Sequence, residues 1–155
     1  MTVKFTISRP LVEETLVQLR AAGHRNSEGI VLWFAPRANR RIISKVLVPI
    51  HEASDDYFHI SPEGNRQLRG LCITEKLILE AQVHTHPGRA FHSKADDKLA
   101  VLRHVDALSI VLPRFAANTT PETFLSDSAS FLLNASDRWE QVELCELSEL
   151  LQITV

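Results

Sequence analysis

The ten residues from Leu77 to His86, LILEAQVHTH, constrain this chain more than any other segment. Successive side chains of a strand point to opposite faces. That rule sets Leu77, Leu79, Ala81, Val83 and Thr85 on one face and Ile78, Glu80, Gln82, His84 and His86 on the other. One face is apolar. The other grows polar along the strand and finishes in two imidazoles. A helix is no platform for that pair, since residues two apart on a helix diverge. The segment therefore predicts a strand with an apolar layer behind it and a chemically equipped end.

The flanking sequence supplies the layers. Val3, Phe5 and Ile7 alternate with polar neighbours and predict a first half-buried strand. Ser8 is placed to cap, and Pro10 to enter the first turn of, a helix with Val12, Leu16 and Leu19 on one face, stopped at Gly23. Ile30 to Phe34 is too apolar for an exposed strand and predicts a buried one. Arg41 to Val48 predicts a second strand after a turn at Pro36 to Asn39. A loop with Asp55 and Asp56 leads to a short strand at Tyr57 to Ile60. Ser61 opens a helix that has Pro62 and Glu63 in its first turn and runs to Thr74. After His86 come a loop from Pro87 to His92 and a helix from Ser93 through KADDKLAVLRHV. Ala107 to Leu112 predicts another apolar strand, and Ser128 to Leu133 with Trp139 to Leu144 a closing hairpin. Interspersed strands and helices predict an α/β (α+β) fold, a mixed central sheet flanked by helices, with residues 1–155 as one domain.

Composition narrows the function classes. At 155 residues the chain can bury roughly two-thirds of its unfolded surface. Seventeen Lys and Arg against nineteen Asp and Glu leave a net charge of -2, which offers no electrostatic footprint for nucleic acid. No run approaches the length of a membrane span, and the opening MTVKFTISRP lacks the apolar core of a secretory leader. Cys72 and Cys145 stand far apart without CxxC spacing, so a cytoplasmic, reducing location is expected.

Histidine is the oddity, with seven residues and three of them between positions 84 and 92. On a strand, His84 and His86 share a face with Cα atoms roughly 6.5–7 Å apart, from a rise of about 3.3 Å per residue. Two imidazoles so placed can reach one metal ion. Downstream, Ser93-Lys94-Ala95-Asp96 is an S-x-x-D helix start in which Ser93 caps and Asp96 projects back over the helix mouth. Two neutral imidazoles and a carboxylate are the ligand count of a catalytic zinc site, which keeps its fourth position for water. A zinc hydrolase also needs a base, and Glu28, at the entrance of the Ile30–Phe34 strand, is the candidate. Ordinary readings stand beside each of these: hydrogen-bonded strand-end histidines, a plain capping box, a solvated loop glutamate.

Taken together, Glu28 before GIVLWF, His84-Thr85-His86-Pro87 and Ser93-Lys94-Ala95-Asp96 resemble the JAB1/MPN/Mov34 metalloenzymes, the JAMM isopeptidases. The similarity spans about residues 3 to 145 in element order, and HTHPGRAFHSKADD is its specific part. The short length resembles the bacterial stand-alone branch, some members of which accompany E1-like and E2-like conjugation proteins. The resemblance implies one zinc per chain on His84, His86 and Asp96, with Glu28 as the base that activates water. It implies Ser93 as donor to the substrate oxyanion and the tail of a ubiquitin-like protein as substrate, laid along a strand edge. The chain departs from the family in having one residue fewer between Pro87 and Ser93, so the customary count from His86 lands on Asp97. Helix phase favours Asp96, because loop length varies more readily. Asp97 stays open.

Other residues take ordinary roles in this reading. His24, His51, His59 and His104 lack ligand spacing; His92, beside Ser93, is placed to line the cleft, with a bond to solvent or backbone as the expected alternative. Trp33 is core, as are Phe91 and Phe131 if they point inward, and Cys72 reads as a buried thiol. Glu80, on the histidine face, is the reserve base. Two rival functions stand beside this one: a zinc-free binding scaffold of the same family, and a zinc deaminase. The deaminase lacks its H-x-E and P-C-x-x-C signals, and H-E-x-x-H is absent too.

Overall fold

The computed structural model describes residues 4–55 and 58–155. Val3, Asp56 and Tyr57 of the expected elements lie outside them. The alternation at the start becomes β1 (Phe5–Ser8), with Phe5 and Ile7 buried. Pro10 opens α1 (Arg9–Gly23), which turns Val12, Leu16 and Leu19 inward. Ser8 stands at the N-cap, yet its side chain makes no capping bond. The second helical position is Pro10, which has no N–H to give. Gly23 ends α1 without a left-handed turn, and Asn26 takes that conformation with φ 53°. What requires glycine at position 23 is space: a Cβ there would lie 2.5 Å from Phe115 Cβ.

The apolar run becomes β2 (Ile30–Pro36), buried through Ala35. The segment expected as one strand splits into β3 (Ile42–Ile43) and β4 (Lys45–Leu47). Each half finds a different ladder: Ile43 pairs parallel with Ile7 of β1, and Lys45 pairs antiparallel with Phe34 of β2. A short hairpin of β5 (His51–Ala53) and β6 (Phe58–Ile60) follows, of which only the second strand was expected. Ser61 then caps α2 (Pro62–Thr74) by accepting the Gly64 N–H at 3.0 Å.

The segment ending in the two imidazoles forms β7 (Leu77–Thr85). It runs antiparallel to β2, with Ile30 opposite His84, and parallel to β8 (Leu108–Leu112), with His84 opposite Val111. Next come α3 (Lys94–Leu99), α4 (Phe124–Asp127), β9 (Ala129–Leu133), β10 (Trp139–Val142), α5 (Leu144–Leu150) and β11 (Leu151–Thr154). The six-stranded sheet has the order β10-β9-β8-β7-β2-β4, and β11-β1-β3 forms a second, smaller sheet. On one face of the large sheet, Val31, Trp33, Val83 and Ile110 pack against α1 and α5. Trp33 stacks on Phe124 at 5.7 Å, and its indole N–H donates to Thr15 Oγ1 at 3.0 Å. On the other face, Ile30, Leu32 and Phe34 pack against Leu68 of α2. The result is the α/β sandwich with a mixed central sheet that the sequence predicts.

The structure departs from the expected elements in three further places. A bulge in β7 sets Trp33 opposite Ala81 but Phe34 opposite Leu79, so Glu80 has no cross-strand partner on β2. The strict alternation breaks there. Leu77 and Leu79 join the Ile30, Leu32 and Phe34 layer, while Ala81 and Val83 stay in the opposite one. Next, the helix after Ser93 is half the expected length, because Gln82 Oε1 takes the Val101 N–H at 3.1 Å and Arg103 takes the Asp97 carbonyl at 2.6 Å. Finally, the hairpin strand expected to reach Leu144 stops at Val142, because Leu144 to Leu150 coils to bury Leu147 and Leu150.

Candidate metal centre

His84 and His86 end the central strand of the sheet, fully buried and 4% exposed respectively, with ring centroids 5.3 Å apart. The backbone of His86 is fixed on both sides, since its N–H donates to Leu112 O at 3.0 Å and its carbonyl accepts Phe115 N–H at 2.9 Å. Phe115 lies in a left-handed turn, Arg114–Ala116, whose φ angles are 52°, 53° and 58°. Each non-glycine residue in that conformation costs about 1–2 kcal/mol. Backbone strain is therefore held directly behind one imidazole. Phe91, expected in the core if inward, is instead 39% exposed and meets the His86 ring edge-on at 4.5 Å.

Asp96 arrives from the start of α3. Ser93 Oγ accepts the Asp96 N–H at 3.0 Å, and Asp96 Oδ2 accepts the Ser93 N–H at 2.8 Å, a reciprocal capping box. This lock aims the carboxylate inward, leaving it 3% exposed. Its Oδ1 lies 3.2 Å from His84 Nε2 and its Oδ2 3.0 Å from His86 Nε2. Asp97, one residue on, is exposed. Residues adjacent on a helix differ by about 100°, so the box that turns Asp96 in turns Asp97 out.

Donor atoms of His84, His86 and Asp96 all lie within 4.8 Å of one another. Ligands around a tetrahedral ion at about 2.0–2.1 Å are separated by roughly 3.3–3.4 Å, close to the 3.2 and 3.0 Å between Asp96 and the two imidazoles. The chemistry also fits. Burial pushes the Asp96 carboxyl up, but hydrogen bonds from His84, His86 and the Ser93 backbone outweigh it and hold the group well below the usual carboxylate range. An ionised oxygen donor beside two imidazoles is a donor set that suits zinc.

Glu28 comes from the far side of the cleft. Its N–H donates to Ser54 O at 2.6 Å, its side chain is buried, and Oε1 lies 3.9 Å from His86 Nε2. It is not a solvated loop residue. Ser93, half-buried, caps the helix that brings Asp96 in; its oxygen accepts from Asp96 N–H. Glu80, expected on the histidine face, is not there. The bulge diverts it to Arg40 Nε at 2.5 Å and His104 Nε2 at 3.6 Å, so His104, read as ordinary, is its partner. Arg40 and His104 together outweigh burial and lower the Glu80 pKa.

His92, half-buried, packs between Phe131 at 4.9 Å and Trp139 at 5.4 Å. Its Nε2 is buried without a hydrogen-bond partner among the described residues, and burial lowers its pKa to about 4. It lines, with Ser93, Lys94 and Trp139, a cleft of about 430 Å³ beside the pocket. Its place directly before Ser93 was the available signal. Cys72, expected buried, is half-buried, and Cys145 is exposed.

No family model matches the chain. Over 153 residues it is 31% identical to the probable metalloprotease y4jG of Sinorhizobium fredii, covering 96% of this chain and 93% of that protein. A protein from Desulfitobacterium hafniense solved in solution superposes over 90% of each chain at a TM-score of 0.65 and 19% identity, which speaks for a shared fold. A JAB1/MPN domain protein from Archaeoglobus fulgidus aligns over 97% of each chain at 0.49 and 16% identity. Among the described residues, no helix is long and apolar enough to cross a membrane.

Proposed function

The chain belongs to the JAB1/MPN/Mov34 (JAMM) metalloenzyme family, and from that premise we propose that it is a zinc-dependent isopeptidase or peptidase that hydrolyses the bond after the C-terminus of a ubiquitin-like protein. The observation that carries the reading is one buried pocket in which the His84, His86 and Asp96 donors converge with a fourth buried group, Glu28, 3.9 Å from His86. His84, His86 and Asp96 would hold the ion. A divalent ion there supplies Lewis acidity toward a carbonyl oxygen and acidifies water.

The remaining work falls to the chain's own groups. Glu28 takes the proton of the attacking water at a carboxylate oxygen and hands it to the departing amine. The Ser93 hydroxyl, fixed by its bond from Asp96 N–H, donates to the oxyanion. Burial of all four pocket residues keeps bulk water from competing with these bonds. No side chain becomes acylated. The ubiquitin-like substrate, and E1-like or E2-like partners, rest on the bacterial-branch likeness of HTHPGRAFHSKADD; a cytoplasmic site of action suits two unpaired thiols.

The test is cleavage of ubiquitin-like proteins fused or isopeptide-linked through their C-termini, with and without chelator. Cleavage that stops on chelation, returns with zinc and is absent from His84→Ala supports the reading. A protein that takes up no zinc on reconstitution and cleaves nothing is a binding scaffold instead.

A further inference from the structure

We propose that Thr85, the residue between the two imidazoles, is the positioning residue of Glu28, clamping the peptide that follows it to the strand that presents His84 and His86; this rests on the reading of Glu28 as base. Alternation on β7 sends the Thr85 side chain to the opposite face from His84, where it is fully buried. There it meets Gly29, immediately after Glu28. Gly29 N–H donates to Thr85 Oγ1 at 2.9 Å, and Thr85 N–H donates to Gly29 O at 3.1 Å. One residue thus holds both polar groups of Gly29.

The surroundings leave the Glu28 backbone little other freedom. On its N-terminal side, Glu28 N–H is tied to Ser54 O at 2.6 Å. A Cβ on Gly29 would stand 3.1 Å from both Ala22 Cβ and Leu19 Cδ2, so α1 is packed against that peptide from behind. The register bond from Thr85 N–H belongs to the ladder and any residue would make it. The hydroxyl bond is the added part. It fixes the orientation of the Glu28–Gly29 peptide plane and through it the path of the carboxylate toward His86. A misplacement of about 1 Å in a reacting group can cost 10²-fold in rate.

Thr85→Val keeps the branched shape and removes the acceptor, while Thr85→Ser keeps the hydroxyl. With ubiquitin carrying an amide-linked fluorophore at its C-terminus, the valine variant should lose about tenfold or more in kcat, with KM and zinc content unchanged. The serine variant should recover to within about threefold of wild type. A second arm needs no substrate: in metal-free protein, the Gly29 amide should exchange slowly in wild type and Thr85→Ser but at least tenfold faster in Thr85→Val. Should the valine variant not fold, Thr85→Ala is read in the same way. Unchanged kcat and unchanged Gly29 exchange in the variant lacking the hydroxyl would overturn the proposal, as would a loss that serine does not rescue. Glu28→Gln, measured alongside, separates the two claims: if it cleaves normally, the base assignment fails whatever Thr85 does. If only the Thr85 variants behave as wild type, the clamp alone is wrong.

Discussion

Asp96 meets two demands at once, closing the capping box with Ser93 and facing both imidazoles with its two oxygens. Either demand alone would orient a carboxylate; together they fix which of two neighbouring aspartates is available. Asp96→Asn keeps the shape and a capping acceptor but removes the charge that balances a cation. It should empty the site, whereas Asp97→Asn, at an exposed position, should keep about one zinc per chain. Elemental analysis of the two variants decides this. Retention by the first with loss by the second would transfer the ligand role to Asp97.

At the scale of elements, Gln82 is the joint between the central strand and the end of α3. Its amide donates to Ser109 Oγ at 3.1 Å and accepts Val101 N–H at 3.1 Å, and it is fully buried. Gln82→Leu leaves the buried Ser109 hydroxyl and the half-buried Val101 N–H without that partner, a loss of about 1–3 kcal/mol, read as a lowered urea midpoint. A change within about 0.5 kcal/mol would remove Gln82 from this role. The same joint shows what was legible in the sequence and what was not. The His84 and His86 pair, the Ser93 cap and the inward Asp96 follow from local periodicity, and each lies where that periodicity puts it. The bulge at Glu80 does not follow, because alternation assumes an unbroken ladder. The early stop of α3 was hidden because its cause, Gln82, lies on another element. Parallel pairing of β11 with β1 leaves no local trace, since the strands come from opposite ends of the described chain.

For the whole molecule, burying a histidine beside the metal pocket links stability to pH. The folded His92 has its pKa lowered to about 4 from an ordinary 6.5, chiefly by burial, so the unfolded chain takes up its proton first. Its contribution to stability is therefore complete above about pH 6.5 and declines as pH falls toward 4. Asp96, with its pKa depressed, contributes stability above its ordinary 3.8 and loses it only on further acidification, outside that window. Metal-free protein should accordingly show a urea midpoint that drops between pH 7 and 4.5, and His92→Gln should drop less. Equal slopes would mean His92 is protonated in the folded state at the lower pH. The claim on which the rest depends is that the pocket works as a metal-assisted hydrolase with Glu28 as its base. Turnover of zinc-loaded Glu28→Gln on a ubiquitin-like fusion tests it most directly, since glutamine preserves size but takes no proton. General-base catalysis supplies about 10²–10⁴-fold, so the variant should hold one zinc and lose at least a hundredfold in kcat. Normal cleavage by that variant would contradict the account.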